Sequence, residues 1–186
     1  MIFVTSDWHL FHKNIFKYAK RLPAEMIDYQ NELINFINEN VSESDILIFL
    51  GDLSFRTNKR TVKKFISSLK CKNLHFIRGN HDNWLSDKDI LDFGFKTIQN
   101  YLVINENIFY HYPLQDSNID SSYGEDENFN FLKTIINSGK IKNVFHGHSH
   151  NLRSSKEINN IKYINCCIDA KEEKMNLIKI EEKRWT

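Results

Sequence analysis

Four short strand-like runs in this chain each stop at a turn carrying aspartate, asparagine or histidine, and that repeated junction limits how the chain can fold. Ile2 to Ser6 ends at Asp7-Trp8-His9, and Ile46 to Leu50 ends at Gly51-Asp52. Leu74 to Ile77 leads through Arg78 into Gly79-Asn80-His81-Asp82, and Lys142 to His146 leads into Gly147-His148-Ser149-His150. A run such as Ile46 to Leu50, apolar at every position, suits a strand covered on both faces. Ligands of α/β sheets bind beyond the carboxyl ends of the strands, where these turns would sit.

Between the runs the spacing changes to that of helices. Leu33, Ile34, Phe36 and Ile37 follow a helical pattern, and so do Val62, Phe65, Ile66 and Leu69. Beyond Trp84 the pattern reads as more purely β. Tyr101 to Ile104 and Ile108 to His111 flank Asn105-Glu106-Asn107, which predicts a hairpin. A polar stretch from Gln115 to Asn128 predicts a loop, either a solvated excursion or a flap that selects substrate. Phe131, Ile135 and Ile136 predict a helix, and Ile161 to Asn165 and Asn176 to Ile180 predict closing strands. With 186 residues, no internal repeat and no interdomain linker, a single domain over 1–186 is expected.

A net charge of +1 gives no overall pull toward nucleic acid or an anionic membrane, so any attraction for phosphate must be local. No uncharged apolar stretch reaches the length of about 18 residues that a membrane helix needs. Met1 to Thr5 runs straight into a strand without a basic-then-apolar leader, and a cytoplasmic protein is expected. Cys71, Cys166 and Cys167 lack metal-clamp or redox spacing and read as buried, reduced, structural thiols. The 14 phenylalanines read as core, His75 and His146 as structural, and Lys63-Lys64 and Lys171 to Lys174 as solvated faces.

The polar turns carry the chemistry. Asp7 and His9, two apart at a strand end, can converge on one ion, and the two oxygens of Asp52 can bridge two cations. Asn80 offers a neutral amide oxygen, His81 stands beside it, and Asp82 is a carboxylate able to orient that histidine. His148 and His150 add two imidazoles on one side of a turn, and His111 ends a strand of its own. Gly147-His148-Ser149-His150-Asn151 is no serine-nucleophile elbow, because the closing glycine is absent.

Taken in order, these motifs resemble the calcineurin-like metallophosphoesterases from residue 5 to residue 150. The run Thr5 to Ile15, Tyr110-His111-Tyr112-Pro113-Leu114 and His146 to His150 resemble a small bacterial and phage branch of that superfamily. The resemblance implies an α/β fold, a four-layer α/β/β/α sandwich of two mixed sheets flanked by helices. It implies a dinuclear centre in which Asp7, His9, Asp52 and His150 hold one divalent metal and Asp52, Asn80, His111 and His148 the other. Mn²⁺ is the first expectation, with Fe²⁺, Zn²⁺ or Ni²⁺ as alternatives, since such ligands do not select among them. His81, with Asp82 behind it, would contact the scissile phosphate and protonate the leaving oxygen.

Two divalent ions bring four positive charges; Asp7, Asp52 and a bridging hydroxide remove three, leaving about one net positive charge for an anionic substrate. The implied reaction is in-line attack of that hydroxide on a phosphodiester or phosphomonoester, with a small nucleotide-like substrate expected because no insertion is long enough for a cap domain. The alternatives are a nuclease or protein phosphatase on the same centre, or a non-catalytic metal-binding interaction module; neutral bulk charge disfavours nucleic acid. His12, which matches the small branch, and Arg56, four residues after Asp52, are candidate substrate contacts. No heptad or apolar stripe indicates an oligomeric state.

Overall fold

Ten strands form two five-stranded mixed sheets in the computed structural model, which describes residues 1–19, 21, 26–114, 127–150, 155–169 and 175–181. In chain order the elements are β1 (Ile2–Thr5), α1 (Ile15–Ala19), α2 (Met26–Asn40), β2 (Ile46–Phe49), α3 (Lys59–Ser67) and β3 (Leu74–Ile77). A 3-10 turn at Asn80–Asp82, α4 (Asp87–Phe93), β4 (Thr97–Gln99), β5 (Tyr101–Ile104) and β6 (Asn107–Tyr110) follow. Then come α5 (Glu127–Asn137), β7 (Asn143–His146), β8 (Lys156–Ile158), β9 (Ile161–Asn165) and β10 (Ile178–Ile180). One sheet has the order β10-β1-β2-β3-β4 and the other β5-β6-β7-β9-β8.

The period-two alternation of the strands sorts their side chains into three apolar layers. In β1 and β2, Phe3, Leu47 and Phe49 face a layer with Leu33 and Ile37 of α2, Val62, Phe65 and Ile66 of α3, and Ile90 and Phe93 of α4. Ile2, Val4, Ile48 and Leu50 point the other way and meet Phe109 and Phe145 of the second sheet. Ile108, Tyr110, Val144 and Tyr163 then cover Leu132 of α5. Three apolar layers separate four structural ones, which is the expected α/β/β/α sandwich. Each fully buried side chain such as Leu33 or Phe49 contributes about 1.5–3 kcal/mol relative to exposure.

Most predicted elements are present, and the differences have physical causes. The chain beyond Trp84 is not purely β, because α4 intervenes. Its signals are local: Ser86 accepts from the amide of Asp89 at 3.2 Å, the Asp89 carboxylate accepts from the amide of Ser86 at 2.9 Å, and Gly94 at φ 114° closes the helix. Two turns burying only Ile90 and Phe93 are too short to register as a period. Strand β8 is exposed at all three residues, so it has no apolar alternation to read. Residues 115–126 of the predicted polar loop and Lys171 to Lys174 lie outside the described residues, while Glu127 and Asn128 open α5. Among the described residues no helix is long and apolar enough to cross a membrane.

Candidate metal centre

Strands β1, β2 and β3 run parallel in one sheet, and β6, β7 and β9 run parallel in the other. Their carboxyl ends deliver Asp7 and His9, Asp52, Asn80 and His81, His111, His148 and His150, and, after β9, Cys167 and Asp169. The two sheets are stitched together at this rim. Ser6 donates its amide to the Cys166 carbonyl at 2.9 Å, Ile168 donates to the Ser6 carbonyl at 3.0 Å, and the His148 amide donates to Asp7 Oδ2 at 2.9 Å.

Sharp backbone turns point the side chains inward. Asp7, His9, Asp52 and His148 all have left-handed backbones, with φ of 58°, 45°, 60° and 65°. Such conformations cost on the order of 1–3 kcal/mol each for residues other than glycine and persist where surrounding contacts over-determine them. Here the Asp7 amide donates to the Gly51 carbonyl at 2.9 Å and the His9 amide to the Asp52 carbonyl at 3.0 Å. Glycines clear the space beneath: a Cβ on Gly79 would strike the Asp52 carboxylate and the His111 ring, and one on Gly147 would strike Asp7 and Ser6.

Two groups of ligand atoms result, Asp7 with His9 and His150, and Asp52 with His111 and His148. In the first, Asp7 Oδ1 lies 3.8 Å from His9 Nε2 and 3.6 Å from His150 Nε2. In the second, Asp52 Oδ1 lies 3.6 Å from His111 Nε2, and Asn80 Oδ1 is 3.0 Å from His111 Nε2 and 3.2 Å from His148 Nδ1. Asp52 also reaches the first group, its Oδ2 being 3.5 Å from His9 Nε2. All seven residues expected as ligands are thus brought to one place, with Asp52 between the two groups.

The donor set fits cations. Asp7 Oδ1 and both ring nitrogens of His9 are buried without a hydrogen-bond partner, an arrangement costly for polar atoms unless something positive sits among them. The Leu50 carbonyl only accepts, so His111 Nδ1, 2.7 Å away, carries the proton and Nε2 keeps its lone pair. Burial draws His9 down to about 3 against the pull of Asp7, and draws His148 down to about 4. Both therefore offer neutral imidazoles at neutral pH. Burial also pushes Asp52 up to about 7, against His111 and with Asp7 and Asp82 nearby. For Asp7 the effect of burial is outweighed by His9, His111 and His150, which hold the carboxyl well below its usual range. Two buried carboxylates this close favour one charge between them unless a cation accompanies both.

Asp82 plays a different part from the one expected. Its Oδ2 accepts from the amides of Asp52 and Gly79, both at 2.8 Å, and its Oδ1 from the amide of Leu53 at 3.0 Å. With its carboxylate committed to three backbone amides, it fixes the Asp52 loop rather than orienting the His81 ring. His81 donates its own amide to Asp52 Oδ1 at 2.9 Å, and its ring lies at the rim, with Nε2 4.0 Å from Asp52 Oδ2. The His12 ring stacks on Phe55 at 4.2 Å and stands 6.3 Å from the His81 ring, while its carbonyl accepts from Ile15 where α1 begins. Arg56 is exposed at a cleft of about 520 Å³ that it shares with Asn80 and His81.

Three contributors escaped the sequence reading. Arg21, 4% exposed, donates to the carbonyls of Asp7 and Trp8 and to Asp169 Oδ2, the last at 3.0 Å. Asp169 in turn holds His150 Nδ1 at 2.9 Å, leaving His150 Nε2 toward Asp7. Cys167 is a buried free thiol, as expected, yet its Sγ donates to Asp7 Oδ2 at 3.2 Å. It also forms a third ligand group with His150 and Asp169, one that shares His150 with the first. Asp169 lies beyond the motif-bearing span 5–150, and nothing in its local sequence pairs it with Arg21.

Comparison with known proteins identifies the family. The model of the calcineurin-like phosphoesterases matches residues 1–182. An uncharacterized protein of Methanocaldococcus jannaschii is 31% identical over 150 residues, which are 80% of this chain and 69% of that protein. Among solved structures, a protein of unknown function from Aquifex aeolicus superposes with a TM-score of 0.71 at 21% identity, covering 95% of each chain, and so shares the fold. The Pseudomonas putida nuclease MPE gives a TM-score of 0.47 at 14% identity, over 99% of this chain and 81% of that one. With a family match spanning nearly every residue and a donor set suited to divalent metals, the chain belongs to the calcineurin-like phosphoesterases, a family of metal-dependent phosphoester hydrolases.

Proposed function

We propose that this protein hydrolyses a phosphodiester or phosphomonoester of a small nucleotide-like substrate at a two-metal centre, without a covalent enzyme intermediate. One observation carries the reading: Asp52 stands between two separate ligand groups, within 3.5 Å of His9 and 3.6 Å of His111. A single structural ion would need only one such group. Asp7, His9, Asp52 and His150 would hold the first metal, and Asp52, Asn80, His111 and His148 the second. When bound, a pair of divalent ions would neutralise the phosphoryl oxygens and acidify a water for in-line attack.

The chain's own residues do the rest. His111 and His150 are locked by the Leu50 carbonyl and Asp169, so their lone pairs need no reorganisation. Asp82 clamps the loop that presents Asp52, and Gly51, Gly79 and Gly147 allow the loops to close on one another. His81, at the rim rather than inside either ligand group, would donate a proton to the departing oxygen. Three buried free thiols suit a reducing compartment and support a cytoplasmic setting.

Purified protein loaded with Mn²⁺ is expected to cleave bis(p-nitrophenyl) phosphate or p-nitrophenyl phosphate, with activity abolished by a chelator and restored by returning the metal. Turnover that persists undiminished after exhaustive chelation would contradict the proposal.

A further inference from the structure

The cleft beside His81 has a composition that the metal chemistry does not require. It is lined by Phe55, Arg56, Asn80, His81, Asn83 and Trp84 and measures about 520 Å³, within the range of small-molecule sites. Most phenylalanines are buried, as a core reading predicts, but Phe55 is 38% exposed at the edge of the reactive centre. Its ring is held by the stacked His12 ring at an interplanar angle of 16° and lies 5.9 Å from the His81 ring. Trp84 is pinned by its Nε1, which donates to the Ser54 carbonyl at 3.2 Å. An exposed aromatic surface kept rigid from behind loses little conformational entropy when a planar ring stacks on it.

Charge points to the same kind of ligand. Arg56 is exposed at this cleft and, like several other surface cations, has no acidic partner among the described residues. Planar guanidinium groups are well suited to phosphate and to nucleobase edges. A lipid tail would leave Arg56 and Asn83 unused, and a peptide helix exceeds the cleft.

We propose that this cleft is the leaving-group subsite and that it takes a nucleoside-class group, its base on the Phe55 and Trp84 side and its polar edge or a further phosphate toward Arg56. The inference rests on the phosphoesterase reading, because it places His81 between the cleft and the scissile phosphorus. In the reaction, the bond from phosphorus to the nucleoside oxygen breaks and the oxygen of water bonds to phosphorus. The departing oxygen takes a proton from His81, the attacking water releases one to solvent, and His81 is reprotonated from solvent.

Adenosine 5′-monophosphate and ribose 5-phosphate carry the same ester and differ in the base. Each is titrated into the Mn²⁺-loaded protein by calorimetry, which gives an affinity where the ester is stable and a turnover constant where it is cleaved. The base-bearing ester is expected to bind or react about ten-fold better, the scale of one base–aromatic stack. Phe55→Leu is expected to remove most of that advantage, whereas Phe131→Leu, at a 51% exposed position on α5, keeps it. Equal constants for the two esters in the wild type, or an undiminished advantage in Phe55→Leu, would overturn the assignment. Base-dependent binding without cleavage supports the subsite and tells against hydrolysis alone.

Discussion

Asp52→Asn is expected to lower kcat/KM for a phosphodiester by about 10³-fold, beyond the 10–100-fold typical of residues one step removed from a metal. The substitution is nearly isosteric and keeps an oxygen to accept the His81 amide, which donates to Oδ1 at 2.9 Å. What disappears is a negative charge within reach of both ligand groups. An amide offers one neutral oxygen where two anionic ones stood, so the substituted side chain would hold two cations close together far less well. Thermal stability is expected to hold or rise, because burial disfavours the charge of this carboxyl when no metal is bound. An Asp52→Asn protein within three-fold of wild-type turnover at saturating Mn²⁺ would remove Asp52 from the centre.

His81→Ala separates catalysis from metal binding. The ring lies at the rim, its Nε2 4.0 Å from Asp52, and neither complete ligand group includes it. Turnover is therefore expected to fall by about 10²–10⁴-fold, the usual contribution of a positioned general acid, while metal content stays at the wild-type level. The loss should be greater for nucleoside esters than for p-nitrophenyl esters, since a stable phenolate departs with little help from a proton. The measurement is kcat for both ester types alongside elemental analysis of the same samples. A comparable loss for both, accompanied by a vacated metal position, would make His81 a ligand.

Much of this centre was legible because its ligands follow apolar strands in short, distinctive turns. Asp52 after Ile46 to Leu50 and Asn80 after Leu74 to Ile77 announce both the end of a buried strand and a polar group at that end. The unbroken apolar run Ile46 to Leu50 even foretells apolar cover on both faces of β2, with Leu47 and Phe49 on the helix side and Ile48 and Leu50 between the sheets. The convergence of two sheets on one rim is a tertiary fact that family resemblance supplied where periodicity could not, and the order of strands within each sheet was legible from neither.

The parts that stayed hidden act across long sequence distances or through the backbone. Arg21 grips Asp169, 148 residues away, and two carbonyls, which have no sequence signature at all. Asp82 was visible as a site residue, but its role was not, because its partners are the amides of Gly79, Asp52 and Leu53. Phe55 looked like one more core aromatic until the fold left it at the cleft. Left-handed backbones at Asp7, His9, Asp52 and His148 were equally unreadable, since none of these residue types demands that conformation.

The most direct test of the two-metal account is the metal content of the protein after reconstitution with excess Mn²⁺ and gel filtration, read by elemental analysis per mole of chain. Two ligand groups sharing Asp52 predict about two Mn²⁺ per chain, falling to about one in His111→Ala, which dismantles only the second group. A wild-type protein that takes up one ion or none under these conditions would contradict the account.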